Sequence, residues 1–168
     1  MSVSLHDIAI PTYRRFLANL SGLLVKAADH AKSEGRDPEA LVGARLADDM
    51  KTLAGQVQLA SDAAKGGAAR LAGEKPPSFE DVETTLEELQ DRIARTIAYL
   101  DSVTPDKTAG DDDRIIELPV PGRTLTFTAR DFIIGFSVPN FLFHVTAAYA
   151  ILRNQGAPLG KLDYLGGV

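Results

Sequence analysis

Residues 129–154, ARDFIIGFSVPNFLFHVTAAYAILRN, decide the fold. Ile133, Phe136, Asn140, Phe143, His144, Ala147 and Ile151 recur at steps of three and four, so they fall on one face of a helix more than six turns long. Thr128, with Asp131 three positions on, supplies an N-terminal capping pattern, and Gln155-Gly156-Ala157-Pro158 a stop. Pro139 removes a backbone donor and predicts a bend. Two polar residues, Asn140 and His144, interrupt the apolar face four positions apart, which stacks their side chains one turn from each other.

Working back toward the N-terminus, three more segments of similar length carry the same period. Ile8, Tyr13, Phe16, Leu17, Leu20, Leu24 and Ala27 predict a first helix over 4–32, with Pro11 kinking it or marking its regular start. Leu46, Met50, Leu53, Val57, Ala60 and Ala64 predict a second over 46–71, weakened near its end by Gly66-Gly67. Val82, Leu86, Leu89, Ile93, Ile97 and Leu100 predict a third, capped from Ser78-Phe79-Glu80-Asp81 and ending near Thr104-Pro105. Pro38–Leu41 reads as a short turn capped by Asp37. Ile115–Val120 and Leu125–Phe127, separated by Pro121-Gly122-Arg123-Thr124, read as a small β-hairpin. Leu159–Val168 has no helical period and is expected to pack back on the helices. Four long amphipathic segments without strand–helix alternation give an all-α, single-domain chain over 1–168: a four-helix bundle with a hairpin between helices three and four.

Composition narrows the function. The 168 residues are 45% hydrophobic and 24% charged, the profile of a globular domain. No cysteine is present, which removes thiol nucleophiles, zinc–thiolate sites and iron–sulfur clusters. A net charge of −5 argues against nucleic acid as a partner. No run of 18 uninterrupted apolar residues and no signal-like start are seen, so no membrane is expected and the location is read as cytoplasmic. Residues 74–117 hold 13 acidic and 5 basic side chains, read as a solvated face or a docking surface for a basic partner. Phosphate loops, His-Glu-x-x-His, nucleophile elbows and calcium loops are all missing. Asp111-Asp112-Asp113 reads as a solvated loop, and His6 and His30 as surface residues.

Chemistry in a bundle comes from polar residues on inward faces. Gln56, three after Leu53 and four before Ala60, qualifies, as do Asn140 and His144. Tyr13 and Asp49 are candidates for the rim. Three readings of the Asn140–His144 pair stand side by side: a hydrogen-bonded interior pair, a ligand pocket, and a metal site.

The string Pro139-Asn140-Phe141-Leu142-Phe143-His144-Val145-Thr146-Ala147-Ala148-Tyr149-Ala150-Ile151-Leu152-Arg153, with Gly156 and Gly160-Lys161-Leu162-Asp163-Tyr164, resembles a bacterial family, domain-of-unknown-function family 1993. This is a branch of the DinB/YfiT-like superfamily. Residues 44–50 leading into Gln56-Val57-Gln58, and Arg70-Leu71-Ala72-Gly73, match as well. The resemblance implies a DinB-like four-helix bundle, usually a homodimer. Many members of the superfamily hold a divalent metal with three histidines, one on helix two and two on the last helix, and some transfer thiol cofactors or isomerise small acids. His144 falls on one of those positions, while Asn140 and Gln56 stand where the other two would be. The expectation is a pocket for a small-molecule ligand around Tyr13, Asp49, Gln56, Asn140, His144 and Tyr149. The rival is an enzyme in which His144 acts catalytically, either as a ligand of zinc or nickel with Asn140 and Gln56, and possible help from Asp49, or as a metal-free base. A purely structural dimer module is the third reading.

Overall fold

In a computed structural model of the chain, which describes residues 3–167, four long helices carry the core. Helix α1 spans Leu5–Ser33, α2 Leu53–Leu71 and α3 Leu86–Ser102. Strands β1, Ile115–Val120, and β2, Arg123–Thr128, form an antiparallel hairpin. Helix α4 comes next at Ala129–Asn154, and a single-turn helix α5 at Lys161–Leu165 ends the chain. Residues 1, 2 and 168, at the ends of the N-terminal stretch and of the tail, lie outside the described residues.

Each boundary has a local cause. A capping box starts α1, with Ser4 Oγ accepting from the Asp7 amide and Asp7 returning the bond to the Ser4 amide. The helix then runs through Pro11 without ending. Helix α2 begins at Leu53 rather than 46. Thr52 caps it through the Gly55 amide, and the Leu53 and Ala54 amides bond back to Ala44 and Val42 in the preceding loop. Leu46 and Met50 continue the period of three and four by coincidence, and Leu46 is 40% exposed. Helix α3 likewise begins at Leu86, behind a capping box of Thr85 and Glu88, leaving Val82 exposed. Gly122, at φ 80, sits in the hairpin turn where a positive φ is required.

Pro139 does its work upstream of itself. Phe132–Ser137 forms a π turn, in which the Val138 amide reaches Ile133 O, before regular α-helix resumes at Val138. Without a Pro139 N–H the Gly135 carbonyl, four residues earlier, loses its normal donor, and a wider turn absorbs the defect. The extra residue rotates the remainder of the helix. Phe141, Val145, Ala147, Ala148, Ile151 and Leu152 are buried, whereas Phe143 is 59% exposed and Asn140 and His144 are half-buried. The expected face is therefore turned toward Phe141, Val145 and Ala148 after the π turn, while Ala147 and Ile151 of it stay buried.

Helix α2 packs most extensively on α4 and also on α3, and α1 packs on the same two neighbours from the opposite side. Helix α4 is long and apolar enough, by length and composition alone, to cross a membrane, with a mean hydropathy of 1.4 in its most apolar window. Here it is the helix that α1 and α2 enclose on their shared side. The tail returns to α1. Asn19 and Arg15 donate to the carbonyls of Tyr164 and Leu165, and Lys26 pairs with Asp163 at 2.9 Å. Tyr164 packs on Phe16 and Tyr149.

Candidate functional site

The α2–α4 seam runs antiparallel. Gln56 faces His144 at one end, and Gly67 faces Ser137 further along. At the first contact His144 Nδ1–H donates to Gln56 Oε1 over 2.8 Å, so the imidazole is held with Nε2 as its unprotonated nitrogen. Nε2 has no hydrogen-bond partner among the described residues. Burial holds the His144 pKa below its usual 6.5, which favours the neutral ring. Phe143 stands edge-on to that ring, with centroids 5.3 Å apart.

Further along, Tyr13 reaches from α1 through the core to Ser137 in the π turn, the two hydroxyls 2.7 Å apart. Tyr13 is fully buried, and burial pushes its phenol far above the usual range, so it remains a neutral hydroxyl. Phe141 packs edge-on against it at 5.1 Å. This pair requires Gly67, since a Cβ there would collide with both hydroxyls. The Gly66-Gly67 pair is thus a place of close approach inside α2, and α2 continues to Leu71.

Beside the Tyr13–Ser137 pair lies an open cleft of about 260 Å³. Its α2 wall is Leu59, Asp62, Ala63 and Arg70 over the two glycines. The π turn supplies Phe132, Phe136 and Ser137, and α4 adds Asn140, with Leu118 of the hairpin closing one side. Asn140 is therefore in the cleft. Gln56 and His144 are not; they sit about one helical turn, ~5 Å, beyond Leu59 and Asn140 along the same seam.

The remaining candidates are elsewhere. Asp49 is exposed in the loop before α2 and makes no hydrogen bond or ion pair among the described residues. Tyr149 is half-buried against Tyr164 of the tail. His6 is half-buried, not a free surface residue, and its Nε2 lies 3.0 Å from Val103 O. Asp112 pairs with Arg130 at 2.8 Å. Asp163 caps α5 through the Gly160 amide and bonds Lys26, not Lys161.

A polar centre that the sequence reading passed over lies on the other side of α2. Arg92 of α3 is fully buried. Its guanidinium meets Glu83 and Asp81 of the segment before α3, and Asp62 of α2, each at 2.9 Å. Asp62 Oδ1 also takes Lys65 at 2.7 Å. Phe79 lies beneath Lys65, Arg92 and Arg95 at cation–π range. Ser61 and Thr96 join nearby at 2.7 Å. Burial works to raise the Glu83 pKa, but the donors from Gln58 and Arg92 outweigh it and hold the carboxylate ionised. The clue was present in the sequence: Arg92 falls three after Leu89 and four before Thr96, polar on an inward face.

The donor set can be weighed against a divalent metal. Gln56 Oε1 is already engaged by His144, Asn140 lies a turn away, and no carboxylate joins them. One imidazole with two neutral carboxamides is a poor match for zinc or nickel. Among the described residues no three His, Asp or Glu side chains gather as a metal-binding group. These residues do not fit the superfamily's metal.

Four helices, a hairpin before the last of them and a polar seam between the second and the last define a DinB-like bundle. The chain is similar throughout to the crystal structure of a DinB family member from Shewanella denitrificans. The two are 38% identical, with 98% of this chain and 93% of that one covered and a TM-score of 0.88. The chain belongs to the family described as domain of unknown function DUF1993, whose model matches residues 5–165. No curated protein matches it.

Proposed function

We propose that this protein is a cytoplasmic, homodimeric bundle that binds a small organic molecule, without a metal, in the cleft between α2 and α4. The observation that carries this reading is the cleft itself, which brings Asn140, with no hydrogen bond among the described residues, and Arg70, with no counter-charge among them, against aromatic walls around a π turn. Its 260 Å³ lies just below the usual range for drug-sized ligands, which suits a fragment-sized metabolite rather than a nucleotide. His144, neutral and oriented by Gln56, keeps Nε2 as an unpartnered hydrogen-bond acceptor about one helical turn along the seam from the cleft. It is the base available to a ligand that extends along the seam as far as His144.

The test is a ligand-observed NMR screen of small polar fragments on chelator-treated protein. Hits are expected on the metal-free protein and are expected to weaken in Asn140→Ala. Binding that appears only after zinc or nickel is added would restore the metal reading. The dimer has its own support in an apolar groove beside His144, lined by Leu46, Met50, Leu142 and the exposed Phe143. Light scattering should give twice the 18.0 kDa chain mass, and Phe143→Glu should halve it.

A further inference from the structure

The two charged residues of the cleft differ in how they are satisfied. Arg70 is half-buried and has no carboxylate within ion-pair distance among the described residues. Its only bond is from Nη1 to Gly66 O in its own helix, at 3.1 Å, and burial works against its charge. Gly66 leaves room for this fold-back, since a Cβ there would lie 2.9 Å from Nη1 and push the flexible side chain aside. Asp62, two turns earlier, gives Oδ1 to Lys65 and Arg92, while Oδ2 has no partner among the described residues. Asp62 and the uncompensated Arg70 therefore line one cleft, and the fold-back of Arg70 to Gly66 O brings its guanidinium to a position four residues along α2 from Asp62, ~6 Å of helix rise.

We infer that the cleft selects small monocarboxylates carrying a hydroxyl or ammonium group about four carbons away, the carboxylate on Arg70 and the donor on Asp62 Oδ2. The inference rests on the cleft being the binding site. A guanidinium binds a carboxylate through charge-assisted hydrogen bonds, and Phe132, Phe136 and Leu118 offer apolar surface to the carbon chain. Asp62 Oδ2 can only accept, so a second carboxylate at the far end finds no donor there, and a dicarboxylate of equal length is disfavoured even though it pairs equally well with Arg70.

Amide-resolved NMR titration tests this with four probes: 4-aminobutanoate, 4-hydroxybutanoate, succinate and butylamine. The first two should shift the amides of Ala63, Gly66, Gly67 and Asn140, and bind about tenfold more tightly than either succinate or butylamine. Arg70→Gln should weaken them by a similar factor with the rest of the spectrum unchanged, since Arg70 bonds only within its own helix. Equal or tighter binding of succinate, or no effect of Arg70→Gln, overturns the ligand class and leaves the cleft standing. If none of the four shifts a cleft amide while neutral fragments do, the ligand class again falls alone. If no compound of either set reaches those amides, both readings fall.

Discussion

Helix α2 presents two polar seams, one to α3 and one to α4, and they are built on opposite terms. On the α3 side Arg92 is enclosed by three carboxylates, a lysine and an aromatic ring, and the segment before α3 is pinned down by it. Of its nitrogens only Nε lacks a partner. On the α4 side Arg70 has no counter-charge, Asn140 has no hydrogen bond among the described residues, and open space remains between them. A polar group buried with its partners holds a fold together, whereas one left wanting partners beside a cleft is available to a ligand. Asp62 belongs to both seams, pairing with Arg92 on one side and lining the cleft on the other.

The contrast between the seams is most exposed at Arg92. Arg92→Ala leaves the buried Glu83 carboxylate without its main cation, and a loss of about 3–5 kcal/mol is expected in urea unfolding, as for other broken buried ion pairs, with the more exposed Asp62 and Asp81 adding little. A loss below about 1 kcal/mol, measured on the same curves, would mean the α3 seam is not the structural one. Next comes Gly67→Ala. Its better helix propensity favours the folded state by under about 1 kcal/mol, but the collision with Tyr13 and Ser137 should outweigh it, for a net loss of roughly 1–2 kcal/mol. Thermal unfolding read beside Tyr13→Phe, which leaves Ser137 without its partner, separates packing from the hydrogen bond. Thr85→Ala removes the α3 cap and should cost about 1 kcal/mol, with no effect on any ligand bound in the cleft.

The smallest effect is that of His144. Its folded pKa is depressed, so the unfolded chain binds the proton more readily. Stability from this group is present above the unfolded value of 6.5 and declines as pH falls through 6.5 toward the folded pKa. Wild type should lose stability over that window relative to His144→Ala, measured by unfolding at several pH values. An identical pH slope in the two proteins would show that the ring is not desolvated against Gln56.

Much of the bundle was legible because helical period and caps are local. Helix α1 and the hairpin fall where the residues place them, and Gln56 and His144 meet as their inward positions require. Two helices start later than the spacing predicts. Leu46 and Met50, and Val82, satisfy a spacing rule, but Thr52 and Thr85 offer the better caps, and a cap decides where backbone donors stop bonding to the loop. The face of α4 slipped because a π turn adds a residue that no periodicity count contains.

The sequence by itself determined four amphipathic helices, their rough lengths, the hairpin and the family, since each depends on neighbours within a few turns or on a string of residues. Only the tertiary structure decided that Arg92 sits at the centre of one seam, that Gly67 brings the other to close approach, and that Arg70 is left without a counter-charge among the described residues. Those facts depend on which helices meet and at what height, and charge satisfaction is a property of that meeting rather than of any residue's place in the chain.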